Sequence, residues 1–217
     1  MSWGILFPLT LALAFTLRNP LGLADLAPGL IAMAALFGTT SMEAIVITFE
    51  KRVGALERLL LAPLSVRAVL LGKILGGAIF GLMIAGIMTL LSLGVMGSQL
   101  VAPGLFLLVL GLTVLVLSAL GALVAVSVKE VFEAQTLSNY FRFPMIFLCG
   151  VFLPVKALPL PLQVLAYLLP LTYAVGALQQ TTLGLINFRL LVNFTALSLF
   201  LFTFLALTTR LFKKSFE

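Results

Sequence analysis

The 217-residue chain is 62% hydrophobic and only 9% charged, and its formal net charge is +6. Soluble domains carry about 25% charged residues, so this composition excludes an ordinary soluble domain and indicates an all-α polytopic membrane protein. The chain has no histidine, and Cys149 is its one cysteine. These counts exclude His-based acid–base catalysis, His-ligated metals and a disulfide within the chain.

Hydrophobic runs predict six transmembrane helices in a single domain that covers residues 1–217. The predicted spans are residues 3–17, 29–49, 74–96, 105–128, 135–153 and 188–212. The first is short, since it rises only about 22 Å against a hydrocarbon core of about 30 Å. It lacks the basic segment that precedes the apolar run of a cleavable signal peptide, so we interpret it as a retained span.

The basic residues predict the orientation. Most of them fall on one side of the six spans, namely Lys51, Arg52, Arg58, Arg67, Lys73, Lys129, Arg210, Lys213 and Lys214. The other side holds Arg18, Lys156 and Arg189. The positive-inside rule therefore places both termini in the cytoplasm, in a protein of the cell's cytoplasmic membrane. Because the charges lie between hydrophobic runs and not on a soluble face, we expect lipid contacts and no nucleic acid.

Residues 154–184, before the last span, are apolar but interrupted by Pro154, Pro159, Pro161 and Pro170. Neither half is long enough to cross a membrane, and proline interrupts a helix. The pattern predicts two short re-entrant helices on the outer side. The alternative is a seventh span that prolines divide.

A charged stretch separates the second and third spans. Leu56, Leu59 and Leu60 share one helical face, Pro63 ends the helix, and Ser65 is a suitable N-cap for the helix that follows. The pattern predicts an amphipathic helix at residues 54–62. From the residues alone, this helix either lies on the lipid surface or fits a groove on a cytoplasmic partner.

Two stretches resemble the type-2 ABC exporter permease family. FEKRVGALERLLLAPLSVRAVLLGK, residues 49–73, is similar to the family's cytoplasmic loop, and FPMIFLCGVFLPVKALPLPLQVLAYLLPLTYAVGAL, residues 143–178, is similar to its Val-Phe-Phe-Pro and Pro-Leu-Thr-Tyr-Ala runs. The loop positions that match are Glu50, Lys51, Arg52, Gly54, Leu56, Glu57, Leu59, Leu60, Pro63, Ser65, Gly72 and Lys73. The family usually has an interfacial helix before its first span, whereas this sequence begins almost at that span.

The resemblance implies that the chain is the permease subunit of an exporter. The helix at residues 54–62 would be a coupling helix that docks on a separate ATPase subunit. A second permease copy, in a homodimer or a related heterodimer, would complete the translocation path. The positions expected at the ATPase are Gly54, Leu56, Glu57, Arg58, Leu59, Leu60, Pro63 and Ser65. The sequence lacks a Walker A loop, so we expect ATP and Mg²⁺ in the partner and no cofactor, metal or catalytic residue in this chain.

Two ionisable residues fall inside predicted spans. Glu43 and Arg142 each lie about 10 Å from the cytoplasmic boundary, and such groups usually face protein or water. Our hypothesis is that they line the translocation path with Asn139 and pair across the cavity or the dimer interface. In the alternative, Arg142 extends to the cytoplasm.

Gly77 and Gly81 predict close packing within the chain, and Cys149 is expected to be buried.

Two other classes of function compete with the exporter. One is an ATP-independent secondary transporter or channel, in which Glu43 would bind a proton or a cation. The other is an intramembrane enzyme, which the sequence disfavours because it shows no nucleophile–base pair.

Overall fold

The computed structural model describes residues 6–7, 9–11, 13–14, 23–60 and 65–214, and this part of the chain contains helices and no strand. Most of the first predicted span, together with Pro63, lies outside the described residues. The helices from residue 23 onward are α1 Leu23–Arg52, α2 Ala55–Leu60, α3 Val66–Gly94, α4 Pro103–Val126, α5 Val131–Leu148, α6 Leu160–Tyr167, α7 Pro170–Thr182 and α8 Phe188–Lys214.

Four of these helices, α1, α3, α4 and α8, are long and apolar enough to cross a membrane. The α6–α7 pair, bent by 85°, makes a fifth crossing if both helices are counted together. Helix α5 begins at Val131 and ends at Leu148, so it starts and ends earlier than the span predicted at residues 135–153. Its N-terminal half is polar. Four of the six predicted spans, at residues 29–49, 74–96, 105–128 and 188–212, therefore match apolar helices of membrane length. The spans at residues 3–17 and 135–153 stay predictions.

Helix α1 lies at the centre of the bundle, where it packs on α3, α4, α5 and α7. Small residues allow this close approach. The Cα of Gly81 would lie 3.3 Å from a Cβ added at Gly38, and a Cβ added at Gly81 would overlap the side chain of Thr39. Gly77 also faces α1, so the predicted packing of Gly77 and Gly81 within the chain is confirmed.

Helices α3 and α8 turn apolar side chains outward. Ile79 and Met83 of α3 and Leu199 and Phe202 of α8 are each more than half exposed. In a chain this apolar, such residues form the surface that meets lipid.

The segment at residues 154–184 contains two short helices, α6 and α7, as predicted. Hydrogen bonds stabilise their bend: the hydroxyl of Tyr173 donates to the carbonyl of Tyr167 at 2.8 Å. Asn193 of α8 donates to Gln180 of α7 at 3.2 Å. Cys149, at the end of α5, is buried as expected.

Candidate functional site

Glu43 occupies a closely packed site between α1, α3 and α4, where its side chain is 2% exposed. The hydroxyl of Ser118 lies 3.1 Å from Glu43 Oε1 and 2.7 Å from the carbonyl oxygen of Ile74, so its single proton is shared between two acceptors. A Cβ added at Gly77 would overlap the Glu43 carboxyl group, and one added at Gly121 would lie 3.0 Å from Glu43 Cβ. The two glycines therefore make the space that Glu43 fills.

Arg142 of α5 is also buried, with 1% of its surface exposed. Its Nε donates to Thr40 Oγ1 at 2.7 Å, and its Nη1 donates to Asn139 Oδ1 at 3.0 Å. The guanidinium carbon lies 5.3 Å from the centre of the Phe37 ring, within the range of a cation–π contact. Among the described residues, its Nη2 has no hydrogen-bond partner, and neither has the hydroxyl of Ser138 one turn earlier on α5.

Glu43 and Arg142 do not pair within the described part of this chain, and their pairing across a dimer interface stays a prediction. The ion pairs among the described residues are Arg52–Glu130 and Lys73–Glu50, and neither involves the two buried groups. Glu43 and Arg142 have separate hydrogen-bond partners, and Asn139 is a partner of Arg142. The interpretation in which Arg142 reaches the cytoplasm is wrong, because its side chain is enclosed by α1 and its own helix.

The end of the bundle that carries Arg52, Arg67, Lys73, Lys129 and Arg210 is called the basic end below. Contacts between helices bring these residues to one end: Lys73 Nζ lies 2.5 Å from Glu50 Oε1 and joins α3 to α1. Arg52 lies 3.9 Å from Glu130, which begins α5.

At the basic end, α1 and α2 are joined by a turn at Gly54. Its φ of +66° lies in the left-handed region, which glycine adopts without strain. Ser65 accepts a hydrogen bond from the backbone N–H of Ala68 at 3.2 Å, so the predicted N-cap of α3 is confirmed. The turn expected at Pro63 lies outside the described residues.

The apolar side of α2 faces its own bundle. Leu56 is 1% exposed and packs in a cluster with Ile47, Ile74 and Phe212, and Leu59 packs against the same cluster. The amphipathic pattern showed which side of the helix is apolar but not that this chain covers it. Leu56 is therefore covered by its own bundle, and its expected role in ATPase coupling stays a prediction.

Arg58 and Ser65 lie on the outer side of this region. Arg58 is exposed and donates to the carbonyl oxygens of Val53 at 3.2 Å and Gly54 at 3.4 Å. Ser65 is exposed, and Gly54 and Leu59 are half-buried. The side chains of Glu57 and Leu60 lie outside what the structure describes.

The first turn of α5 also lies at the basic end. Glu130 and Glu133 form a capping box that starts this helix, and Phe132 between them is 85% exposed. The predicted span began only at residue 135, so Phe132 fell outside it. The Glu-x-x-Glu spacing was the signal that would have placed the helix start.

Within the described ranges, no group of three or more Cys, Asp or Glu side chains is placed to hold a metal ion. Each of the carboxylates described above interacts with a different side chain. Glu43 accepts a hydrogen bond from Ser118, Glu50 pairs with Lys73, and Glu130 pairs with Arg52.

Sequence comparisons agree with the helical architecture. Residues 2–183 match the family described as ABC-2 type transporter. The inner membrane transport permease YadH of Escherichia coli K12 is 28% identical over 177 residues, which cover 82% of this chain and 69% of the relative. The proteins of the same name from Escherichia coli O157:H7 and Shigella flexneri match with the same figures. With a family match over most of its length and several membrane-length apolar helices, the chain belongs to the ABC-2 type transporter family of integral membrane proteins.

Proposed function

We propose that this chain is the membrane permease subunit of an ABC exporter, located in the cytoplasmic membrane with both termini in the cytoplasm. It forms the translocation path with a second permease copy, in a homodimer or a related heterodimer. A separate ATPase subunit binds ATP and Mg²⁺ and drives the transport. The observation that carries this proposal is α2, a short helix that is anchored by Leu56 between two long apolar helices and turns Arg58 outward.

The packing of α2 suits it to transmit a displacement. Leu56 shares one apolar cluster with residues of α1, α3, α4 and α8, so a push on α2 acts on four helices together. The Lys73–Glu50 pair joins the last turn of α1 to α3. Because packed interiors are nearly incompressible, α1 and α3 tilt with α2. Binding of nucleotide to the ATPase then shifts the population between two arrangements of the permease.

The contact surface on the ATPase side consists of Arg58, Ser65, Gly54 and Leu59 of the coupling segment, with Glu57, Leu60 and Pro63 as further positions expected from the family. Phe132 adds an exposed aromatic side chain at the same end. Arginine and aromatic residues are enriched among the residues that dominate binding energy. The first turn of α5 thus supplies a second contact beside α2.

The translocation path runs along α5, and Arg142 with Asn139 is its polar element. Arg142 has one donor, Nη2, that no group in the described part of the chain satisfies. When α5 separates from α1, this donor becomes available to an acceptor group on the cargo. Glu43 has a different role, since its carboxyl group fixes the spacing of α1, α3 and α4. The cargo classes that suit an apolar path of this family are a hydrophobic drug, a lipid or a lipid-linked glycan.

Purification of the tagged full chain from its native membranes tests the proposal. We expect an ATPase subunit with a Walker A loop to co-purify. In reconstituted vesicles, transport of a fluorescent hydrophobic dye, a fluorescent phospholipid or a lipid-linked glycan should require ATP. It should stop when the Walker A lysine of that subunit is replaced. A chain that binds no ATPase and transports one of these probes without ATP would instead be a secondary transporter or channel.

A further inference from the structure

A cavity of about 440 Å³ opens at the basic end between the first turns of α3 and the last turns of α8. Leu70, Leu71 and Ile74 of α3 and Leu205 of α8 form its apolar wall. Arg67 and Arg210, one from each helix, stand at its rim. The cavity therefore combines an apolar interior with two cationic side chains.

Neither arginine is neutralised by the described part of the chain. The ion pairs found there are Arg52–Glu130 and Lys73–Glu50, so no described carboxylate lies within 4.0 Å of Arg67 or Arg210. Both side chains are exposed. Two like charges beside one cavity repel each other, and an anion placed between them removes that repulsion.

The other polar groups of the cavity are already engaged. Thr208 and Thr209 donate their hydroxyl protons to the carbonyl oxygens of Phe204 and Leu205, each at 2.7 Å. Among the described residues that line the cavity, the two guanidinium groups are thus the donors without a described partner. Guanidinium groups bind phosphate through paired hydrogen bonds.

The apolar wall continues along the outside of the bundle. Leu71 and Leu75 of α3 follow Arg67 by one and two helical turns, and they are 46% and 51% exposed. Leu75 lies about 12 Å along the helix from Arg67, a length that an acyl chain can cover. The charged rim and the apolar strip therefore follow one another in the order of a lipid headgroup and its tail.

We propose that this cavity binds one anionic phospholipid of the leaflet at the basic end of the bundle. The phosphate lies between Arg67 and Arg210, and an acyl chain follows the cavity wall and then Leu71 and Leu75. Basic pockets between transmembrane helices bind anionic headgroups in this way. A soluble phosphate would satisfy the arginines and leave the apolar wall uncovered, so the occupant is a lipid. The bound lipid joins the start of α3, which follows α2, to the end of α8.

Native mass spectrometry of the detergent-purified full chain tests this site. The probes are dioleoyl phosphatidylglycerol, which is anionic, and dioleoyl phosphatidylcholine, which is zwitterionic. We expect the wild type to retain phosphatidylglycerol at least tenfold more strongly than phosphatidylcholine. Arg67→Gln and Arg210→Gln should each weaken its binding about tenfold, as expected for the loss of one charge-assisted contact. Arg189→Gln, an exposed arginine at the opposite end of α8, is the matched control and should change nothing.

Thermal unfolding of the same proteins measures lipid binding independently, through the change in Tm. A ligand that binds the folded chain raises its Tm. Phosphatidylglycerol should therefore raise the Tm of the wild type and of the Arg189→Gln variant. It should not raise the Tm of the double variant that combines Arg67→Gln with Arg210→Gln. Each single variant changes an exposed side chain and should fold, which keeps the binding assay interpretable. Equal retention of the two lipids, unchanged retention by both single variants, or displacement of phosphatidylglycerol by millimolar glycerol phosphate would overturn the proposal.

Discussion

Glu43 and Arg142 are both ionisable side chains buried in the helical bundle, yet their surroundings differ. Glu43 lies in a space that Gly77 and Gly121 leave open, and it shares the hydroxyl proton of Ser118. Arg142 is held by polar side chains from two helices, and one of its donors has no partner among the residues that the structure describes. Glu43 is therefore built into a helix junction, whereas Arg142 retains the capacity to bind another group.

The difference separates a structural role from a functional one. A carboxyl group surrounded by close backbone contacts fixes the spacing of α1, α3 and α4, and any change in its volume is transmitted to three helices. A buried guanidinium without a counter-charge is costly to the fold. This cost is the reason why we propose a role in transport for Arg142.

The largest effect should come from filling the space around Glu43. In Gly77→Val, the added atoms overlap the Glu43 carboxyl group and the Ser118 hydroxyl, so we expect a loss of about 3 kcal/mol of unfolding free energy. Gly76→Val is the matched control, because nothing lies within 4 Å of a Cβ at Gly76. Thermal unfolding in detergent measures both. Equal behaviour of the two variants would show that α3 does not approach α1 closely.

The next effect concerns the acceptor that holds Arg142. Thr40→Val keeps the side-chain shape but removes the partner of Arg142 Nε, and a buried donor without a partner costs about 1–3 kcal/mol. In an Arg142→Met background the same change should cost less than about 0.5 kcal/mol, since the donor is gone. A double-mutant cycle on the unfolding free energy measures the coupling. An equal cost in both backgrounds would mean that the contact is not formed.

Arg142→Met should separate transport from stability. We expect ATP-driven transport to fall at least tenfold, about 1.4 kcal/mol of lost interaction, while the unfolding free energy changes by less than about 1 kcal/mol. An apolar side chain of similar length avoids the cost of the buried charge. The readouts are vesicle transport and thermal unfolding of one preparation. Retained transport with a large loss of stability would make Arg142 a purely structural residue.

The smallest effect should come from Glu43→Gln. The amide oxygen accepts the Ser118 hydrogen bond in the place of the carboxyl oxygen, so we expect changes below about 0.5 kcal/mol in stability and below about twofold in transport. The same two assays measure it. A strong loss of transport would instead assign Glu43 a titrating role and favour the secondary-transporter alternative.

The sequence predicted local features that depend on nearby residues. Serine before an apolar run indicated the cap of α3 at Ser65, and the spacing of Gly77 and Gly81 indicated a close helix contact. Prolines in the segment before the last helix indicated two short helices in place of one long one.

Features that depend on how helices meet were not predictable in this way. The helical pattern of Leu56 identifies an apolar face, but the surface that covers this face is set by the tertiary packing of α1, α3, α4 and α8. The partners of Arg142 depend on the register of α5 against α1, and those of Glu43 depend on how α3 and α4 pack on α1. No single helix encodes either arrangement. The start of α5 was placed late because hydropathy outweighed the capping residues Glu130 and Glu133.

Cross-linking provides the most direct test of the central claim that the basic end couples the permease to an ATPase. Cys149→Ala removes the single, buried cysteine, and a cysteine is then introduced as Arg58→Cys or, at the opposite end, as Lys156→Cys. In the purified complex, a short bifunctional reagent should join position 58 to the ATPase subunit, with a yield that changes on addition of ATP, and should not join position 156. An intact complex that cross-links at position 156 and not at position 58 would contradict the account.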